Sequence, residues 1–207
     1  MRNERQPDFL ADVRRLIVRD PLAEFLGAAD KGQFEYRYDD AVRLAGHSCP
    51  TVASAYMLTC HALAALYPGS IPERGGVQVS FRDAIDSGVT GVIAGVVTLL
   101  TGAAHEGGFK GLAARFVRRN LLDFATEQPL AVRFSRLDNG AVADAQVDLA
   151  SIPADPAMPE LMARSLHPGC DPEIRARFAE LWQERVRKVL VEFADDPKVY
   201  RIQHHPG

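Results

Sequence analysis

The dipeptide Asn139-Gly140 constrains the fold of this 207-residue chain more than any other short feature. It lies between two segments, 130–134 and 142–147, that are rich in sheet-forming residues. Asn-Gly is a strong signal for a tight β-hairpin, because both residues tolerate the positive φ angles of such a turn. We therefore expect an antiparallel pair of strands in this part of the chain.

Periodicity elsewhere predicts a mixture of strands and helices, and so an α+β fold. Helices are expected to pack on a mixed or antiparallel sheet, with a long C-terminal amphipathic helix in addition. The further strands are predicted at 34–38, 77–81, 121–124 and 199–202. Helices are predicted at 8–27 with a break near Asp20-Pro21, at 39–44, at 51–67, at 89–101 with apolar residues on every side, and after Asp171-Pro172.

A proline-rich stretch at 151–159 divides the chain into two predicted parts. Residues 1–150 form the α+β core with an N-terminal helical segment, and residues 151–207 form a linker and a helical extension. The extension carries a continuous apolar stripe, which must be covered either by the sheet or by a second copy of the chain.

The composition narrows the class of protein. With 47% apolar and 25% charged residues, the chain has the composition of a soluble globular protein, and its net charge of −3 gives no reason to expect nucleic acid or an anionic membrane as a partner. The apolar run 89–104 is short and interrupted for a bilayer span, and the polar residues 1–7 do not begin a signal peptide. Three cysteines without a C-x-x-C pair suggest a reducing compartment, so we expect a cytoplasmic protein.

The motif Gly46-His47-Ser48-Cys49-Pro50 is the main candidate for chemistry. Pro50 disfavours helical geometry at Cys49 and suits the first helical position, so Cys49 is the predicted N-cap of the following helix. His47 and Cys49 then share one face of an extended segment. Helix N–H groups favour a thiolate there, and a thiolate beside an imidazole is a metal-binding or nucleophilic pair.

The alternative is that Cys49 is buried as a small apolar residue and His47 is hydrogen-bonded nearby. Cys60 lies about 16 Å farther along the helix, too far to share a metal with Cys49, and is expected in the core.

A glycine-rich loop over 102–111 is the second candidate. It departs from the zinc-protease H-E-x-x-H motif at Phe109, and it departs from the phosphate-binding P-loop at Gly108. One imidazole, His105, and one ammonium, Lys110, remain beside Gly107 and Gly108. Such a loop serves as a lid or an anion-binding turn, or is an ordinary connection.

Three further groups carry a functional and a structural interpretation. Asp83 follows a strand and would supply a general base or an oxygen ligand, or cap a turn. His167 and Cys170 have ligand spacing and would close a four-ligand site with His47 and Cys49, although an exposed loop is favoured. A cluster of arginines would bind a phosphate or carboxylate, or face solvent: Arg115, Arg118 and Arg119.

Residues 46 to about 134 resemble the FmdE family, which is named after one component of formylmethanofuran dehydrogenase. The resemblance rests on the Gly46–Pro50 motif before a helix, on Asp83-Ala84-Ile85 after a strand, and on Thr101-Gly102 before a Gly/Lys loop. Many relatives carry cysteines where this chain has Arg82 and Ala103. The cysteine-rich zinc-finger tail of some members is also replaced, here by the C-terminal amphipathic helix.

The resemblance implies an α+β core, a homodimer, and a metal site at His47 and Cys49. Asp83 and the 101–110 loop would line its cleft, and the substrate would be a C1 or pterin-linked compound.

The resulting hypothesis is a protein that binds one transition metal ion, with zinc favoured, through His47, Cys49 and either His105 or Asp83. In this hypothesis Cys49 and Asp83 take part in catalysis, and Gly107, Gly108 and Lys110 contact a cofactor. The ion would polarise a carbonyl or activate water on a small-molecule substrate. The alternatives are a non-enzymatic metal-binding or accessory protein, a metal-free enzyme with Cys49 as nucleophile, and a structural homodimer without catalysis.

Overall fold

Seven strands and six α-helices build residues 7–207, the part of the chain that the computed structural model describes. The strands are β1 (Leu16–Arg19), β2 (Gln33–Tyr36), β3 (Val77–Phe81), β4 (Leu122–Asp123), β5 (Val132–Arg136), β6 (Val142–Val147) and β7 (Tyr200–His205). The helices are α1 (Pro21–Phe25), α2 (Tyr38–Ala45), α3 (Pro50–Leu66), α4 (Thr90–Thr101), α5 (Met158–Ser165) and α6 (Pro172–Arg187). The α+β fold with its C-terminal helix is therefore confirmed. The polar residues 1–6, on which the signal-peptide argument rests, lie outside the described part.

The predicted hairpin lies at the centre of the main sheet. Strands β5 and β6 pair antiparallel with Phe134 opposite Ala143, and Gly140 takes a φ of 76° in the turn. The Asn139 side chain accepts the N–H of Ala141 at 3.0 Å. The five strands run in the order β4-β3-β5-β6-β7, and the β3–β4 pair is parallel while the others are antiparallel. The sheet is thus mixed, one of the two arrangements that the sequence predicted.

Helix α3 is the core element on one face of this sheet. It contacts β5, β6 and β7, and its residues Val52, Tyr56 and Leu63 are almost fully buried. The Tyr56 hydroxyl lies 2.8 Å from the Arg14 carbonyl and 3.0 Å from the Tyr36 carbonyl. Burial raises the pKa of Tyr56 above its ordinary range. This hydroxyl therefore fastens the chain around β1 and β2 to the helix at whose start the candidate motif lies.

The N-terminal region departs from the predicted helix at 8–27. A short 3-10 helix at Asp8–Asp12 is followed by strand β1, which pairs antiparallel with β2, and then by helix α1. Leu16 and Val18 are buried while Ile17 is 47% exposed, so the segment alternates as a strand does. The apolar residues of this segment fit both helical spacing and the alternation of a strand. Pairing with β2 makes the segment a strand.

Helix α4 is confirmed, and Gly102 ends it in the left-handed conformation, but its burial is only partial. It packs against α2 and α3, whereas Val92 is 42% exposed on its outer face. The apolar residues on every side of this helix predicted complete burial, which was wrong, because one face of α4 lies at the surface.

The C-terminal segment joins the core from two directions. Helix α6 packs against α5, a helix that the sequence did not predict. The buried part of α6 begins near its end, at Val186. The following π-helix, Lys188–Glu192, contacts α3, and strand β7 pairs with β6. The apolar stripe is thus buried within the chain from Val186 to Leu190, while its earlier residues are half-buried. The division at residue 150 and the homodimer stay predictions.

A buried ionic cluster connects three distant loops. The Asp20 carboxylate accepts from Arg74 at 2.9 Å and from Arg118 at 2.6 Å, and Arg118 also donates to the Arg74 carbonyl. Gly75 permits this arrangement, because a Cβ there would overlap the Arg118 guanidinium. The cluster fixes the start of β3 against the segment before β4.

No helix within residues 7–207 combines the length and the apolar character needed to cross a membrane.

Candidate functional site

Cys49 occupies the helix terminus that the sequence predicted. It is the N-cap of α3 in extended conformation, Pro50 is the first helical residue, and its Sγ accepts the Val52 N–H at 3.4 Å. The residue is 8% exposed. Cys49 therefore belongs to the hydrophobic core, as the alternative interpretation of the motif expects, with the Val52 N–H directed at its sulfur.

His47, two residues before Cys49, is exposed, and one of its ring nitrogens makes a hydrogen bond within the chain. Its Nδ1 lies 2.9 Å from the Ala45 carbonyl, and a carbonyl only accepts, so the hydrogen-bond network assigns the proton to Nδ1. In a neutral ring this hydrogen bond leaves the lone pair on Nε2. Gly46, with a φ of 74°, ends α2 and turns the chain just before His47.

Ser48 is the centre of a polar cluster that fixes the motif. Its hydroxyl lies 3.0 Å from the Tyr38 hydroxyl and donates to Gln183 Oε1 at 3.1 Å. Its carbonyl accepts from the Trp182 indole at 3.0 Å and from the Gln183 amide at 3.3 Å. Helix α6 is therefore hydrogen-bonded directly to the residue between His47 and Cys49.

Tyr38 forms the buried wall of this cluster. It is 1% exposed and meets the Tyr56 ring edge-on at 5.9 Å between centroids. Burial raises the pKa of Tyr38 to about 12, so its hydroxyl is neutral at physiological pH. A neutral hydroxyl can exchange hydrogen bonds with Ser48 without placing a charge beside Cys49.

The structure brings Asp83 and His105 to one neighbourhood around Phe124. The His105 ring is 5.9 Å from the Phe124 ring, which stacks on Phe81 at 5.3 Å. The N–H of the residue after Phe124 donates to the Asp83 carbonyl at 3.2 Å. Both predicted residues are exposed. Within residues 7–207, no hydrogen bond, ion pair or ring contact joins either of them to the Gly46–Pro50 motif.

The glycine-rich loop is held by main-chain bonds to the segment before β4. Phe109 accepts from the Arg118 N–H at 2.9 Å, and Ala104 and His105 within the loop make further main-chain bonds to this segment. A Cβ on Gly108 would lie 2.7 Å from the Arg119 Cα, so close packing explains this glycine. Gly107 faces open space and Lys110 is exposed. Cofactor contact by Gly107, Gly108 and Lys110 stays a prediction.

The remaining cysteines occupy different environments. Cys60 is in the core as expected, and burial raises its pKa to about 12. Cys170 lies in the turn between α5 and α6, where its Sγ donates to the Asp171 carbonyl at 3.3 Å. Among the described residues, no three His, Cys, Asp or Glu side chains are grouped closely enough to hold a metal ion.

Sequence reasoning missed the three side chains that contact Ser48. Trp182 belonged to the predicted apolar stripe, but its indole N–H was not assigned a partner. Tyr38 and Gln183 carried no local signal, because their contacts depend on how α2 and α6 approach the motif.

No model of a known protein family matches this chain, and no curated protein matches it.

Proposed function

We propose that this chain binds one transition metal ion at the Gly46–Pro50 motif, through His47 Nε2 and Cys49 Sγ. The observation that carries the proposal is the hydrogen bond of 2.9 Å between His47 Nδ1 and the Ala45 carbonyl. Metal-binding histidines characteristically donate their second ring N–H to a carbonyl or carboxylate, which fixes the tautomer and the ring orientation. His47 makes a hydrogen bond of this kind to a carbonyl, and its side chain lies at the surface.

Cys49 supplies the second donor in a suitable environment. Its sulfur lies at the first turn of α3 and accepts the Val52 N–H, and the thiolate is the form of cysteine that binds metals. One imidazole and one thiolate are donors that zinc prefers. The fit is partial, because a catalytic zinc site usually takes three protein ligands. His105, Asp83 or a second copy of the chain are the proposed sources of the third.

When bound, such an ion polarises a carbonyl or activates water. We propose a small C1 or carbonyl compound as substrate on the resemblance to the FmdE family, which also suggests a homodimer. Three free cysteines favour a cytoplasmic protein.

Two alternatives share these residues. The first is a non-enzymatic accessory protein that binds metal through the same donors. The N-cap position of Cys49 favours a metal-free nucleophile.

The test is the metal content of the purified protein by elemental mass spectrometry, after incubation with zinc, iron, nickel or cobalt. We expect near-stoichiometric metal in the native chain and a loss in both Cys49→Ser and His47→Gln. The matched controls are Cys170→Ser and His167→Gln, which alter the second His/Cys pair in the α5–α6 turn. Native protein without metal, or metal retained in both motif variants, would remove the motif from metal binding as proposed.

A second measurement separates the alternatives. Rapid, pH-dependent alkylation of Cys49 in metal-free protein, without protection by zinc, would identify the nucleophile. Stoichiometric metal that depends on His167 and Cys170 as well would favour a closed four-ligand site and the accessory role.

A further inference from the structure

A cavity of about 420 Å³ lies beside the buried Asp20 cluster. It is called the Arg115 cavity here, and its main lining residues are Glu73, Gly75, Arg115, Phe116, Arg118 and Leu137. A second cavity of about 560 Å³ shares three of these residues and so adjoins it. The volume lies in the range of small-molecule sites. None of the residues in the proposed metal motif lines this cavity.

Positive charge exceeds negative charge around the Arg115 cavity. Two guanidiniums, those of Arg74 and Arg118, share the single Asp20 carboxylate. Glu73 faces the cavity, but Arg19 holds its carboxylate at 2.9 Å. Arg115 has no ion-pair partner within residues 7–207. An anion that entered the cavity would therefore meet the Arg115 guanidinium, whose positive charge no acidic side chain of the described residues compensates.

Arg118 carries an unused donor in this setting. Its side chain is only 9% exposed, and its Nε has no hydrogen-bond partner within the described chain. This Nε is itself closed to solvent, so a ligand oxygen would reach Arg118 only through the part of the side chain that lines the cavity. The guanidinium lies directly against Gly75, which lines both cavities. Because residue 75 has no side chain, this charge lies close to the cavity wall.

The rest of the wall is apolar. The Arg115 guanidinium lies 4.9 Å above the Phe116 ring, which in turn is 5.4 Å from the Phe25 ring. Leu121 and Leu137 complete this part of the lining. A bare inorganic ion makes no use of such a surface, whereas a planar or aliphatic body buries apolar area against it.

We propose that the Arg115 cavity binds a small organic oxyanion, a carboxylate or a phosphate monoester with an apolar body. Arg115 and Arg118 bind the oxyanion, and Phe116 and Leu137 contact the body. Arginine suits both oxyanions, because its planar fork of donors matches either geometry. The arginine cluster of the sequence thereby divides into two ligand-facing residues and one solvent-facing residue, Arg119.

The experiment is a titration of isotopically labelled, full-length protein, followed by backbone amide NMR. The probes are benzoate, phenyl phosphate, inorganic phosphate and the uncharged benzamide. We expect the amides of Gly75, Arg115 and Phe116 to shift with benzoate or phenyl phosphate, and the stronger of the two identifies the oxyanion. Benzamide and inorganic phosphate should each bind more weakly.

Two exposed arginines provide the variant and its control. Arg115→Gln should weaken the preferred probe about tenfold, the loss typical of one charge-assisted hydrogen bond. Arg119→Gln lies four residues away, removes the same charge, and should leave affinity nearly unchanged. An unaltered amide spectrum away from the cavity would confirm that each variant folds.

The proposal is overturned if neither anion shifts these amides. Equal binding of benzamide, or an equal loss of affinity in Arg119→Gln, would also overturn it. Inorganic phosphate binding as tightly as phenyl phosphate would remove the apolar contact from the site and so overturn the organic ligand.

Discussion

The indole N–H of Trp182 donates to the Ser48 carbonyl at 3.0 Å and joins residues 134 positions apart in the chain. Gln183 adds two bonds to the same serine, one to its carbonyl and one from its hydroxyl. The conformation of the motif between His47 and Cys49 therefore depends on helix α6. This arrangement makes the C-terminal segment part of the candidate site.

Replacing the Trp182 indole tests whether the conformation of the motif depends on helix α6. Trp182→Phe removes the donor and keeps an aromatic ring, so we expect the free energy of unfolding to fall by about 1–2 kcal/mol. We also expect iodoacetamide to modify Cys49 faster, measured by peptide mass spectrometry, because α6 should release Ser48. Phe178→Leu is the control, since Phe178 contacts Trp182 at 5.5 Å but donates nothing to the motif. Unchanged Cys49 alkylation in Trp182→Phe would show that α6 does not protect the motif.

The parts of the fold that the sequence predicted depend on local chemistry. The Asn139-Gly140 turn and the Cys49-Pro50 helix start are each decided by neighbouring residues, and both are present. Strand β1 was mistaken for a helix because its apolar residues fit both periods. Its pairing with β2 is a contact between separate segments, and the spacing of apolar residues in one segment does not reveal it.

The same distinction holds for the candidate site. The sequence identified Cys49 as a helix cap but gave no sign that Trp182 and Gln183 would reach Ser48. It also grouped Arg115, Arg118 and Arg119 as one cluster. Burial separates them, because Arg118 pairs with Asp20 from a distant part of the chain. Long-range contacts of this kind follow from how elements pack, which periodicity does not specify.

The variant Gly75→Ala tests how much the buried cluster of Asp20, Arg74 and Arg118 contributes to stability. In Gly75→Ala the new Cβ would overlap the Arg118 guanidinium and displace it from Asp20, so we expect a loss of more than about 3 kcal/mol in unfolding free energy. Gly69→Ala is a close control, because Gly69 has a similar φ of 70° with nothing near its absent Cβ. That variant should lose only about 1 kcal/mol from backbone strain. Urea denaturation measures both, and equal losses would show that the cluster contributes little.

The environment of the His61 side chain predicts that the free energy of unfolding depends on pH. Its Nε2 lies 2.7 Å from the Ala194 carbonyl, with Arg14 and Asp195 nearby, and burial lowers its pKa below the ordinary 6.5. The unfolded chain therefore takes up a proton at a higher pH than the folded chain does. By linkage, the free energy of unfolding falls as pH drops from about 6.5 toward the lower pKa of the folded state.

The variant His61→Gln keeps an amide donor for Ala194 but cannot titrate. Its unfolding free energy should therefore decrease less than that of the native chain between about pH 7.5 and pH 5.5. Denaturation curves at the two pH values give the comparison. If both proteins lose the same amount of stability, other groups account for the acid dependence.

A two-residue turn beside the Arg115 cavity stores backbone strain. Leu112 and Arg115 exchange both main-chain hydrogen bonds at 2.9 Å, and the residues between them, Ala113 and Ala114, have φ angles of 47° and 62°. Positive φ at both positions is the pattern of a type I′ turn, which favours Asn-Gly. Alanine is strained in this conformation by about 1–2 kcal/mol per residue.

Changing the turn to Ala113→Asn with Ala114→Gly should therefore stabilise the protein by about 1 kcal/mol, after the greater freedom of glycine in the unfolded chain is included. Thermal denaturation measures the gain. Ala176→Gly, at an exposed position within α6, is the control and should destabilise by about 1 kcal/mol, because glycine is a poor helix former. A loss of stability in the double variant would mean that the alanine side chains make contacts worth more than the strain they cause. Retained anion affinity in the same variant would show that the strain shapes the turn without being needed for binding.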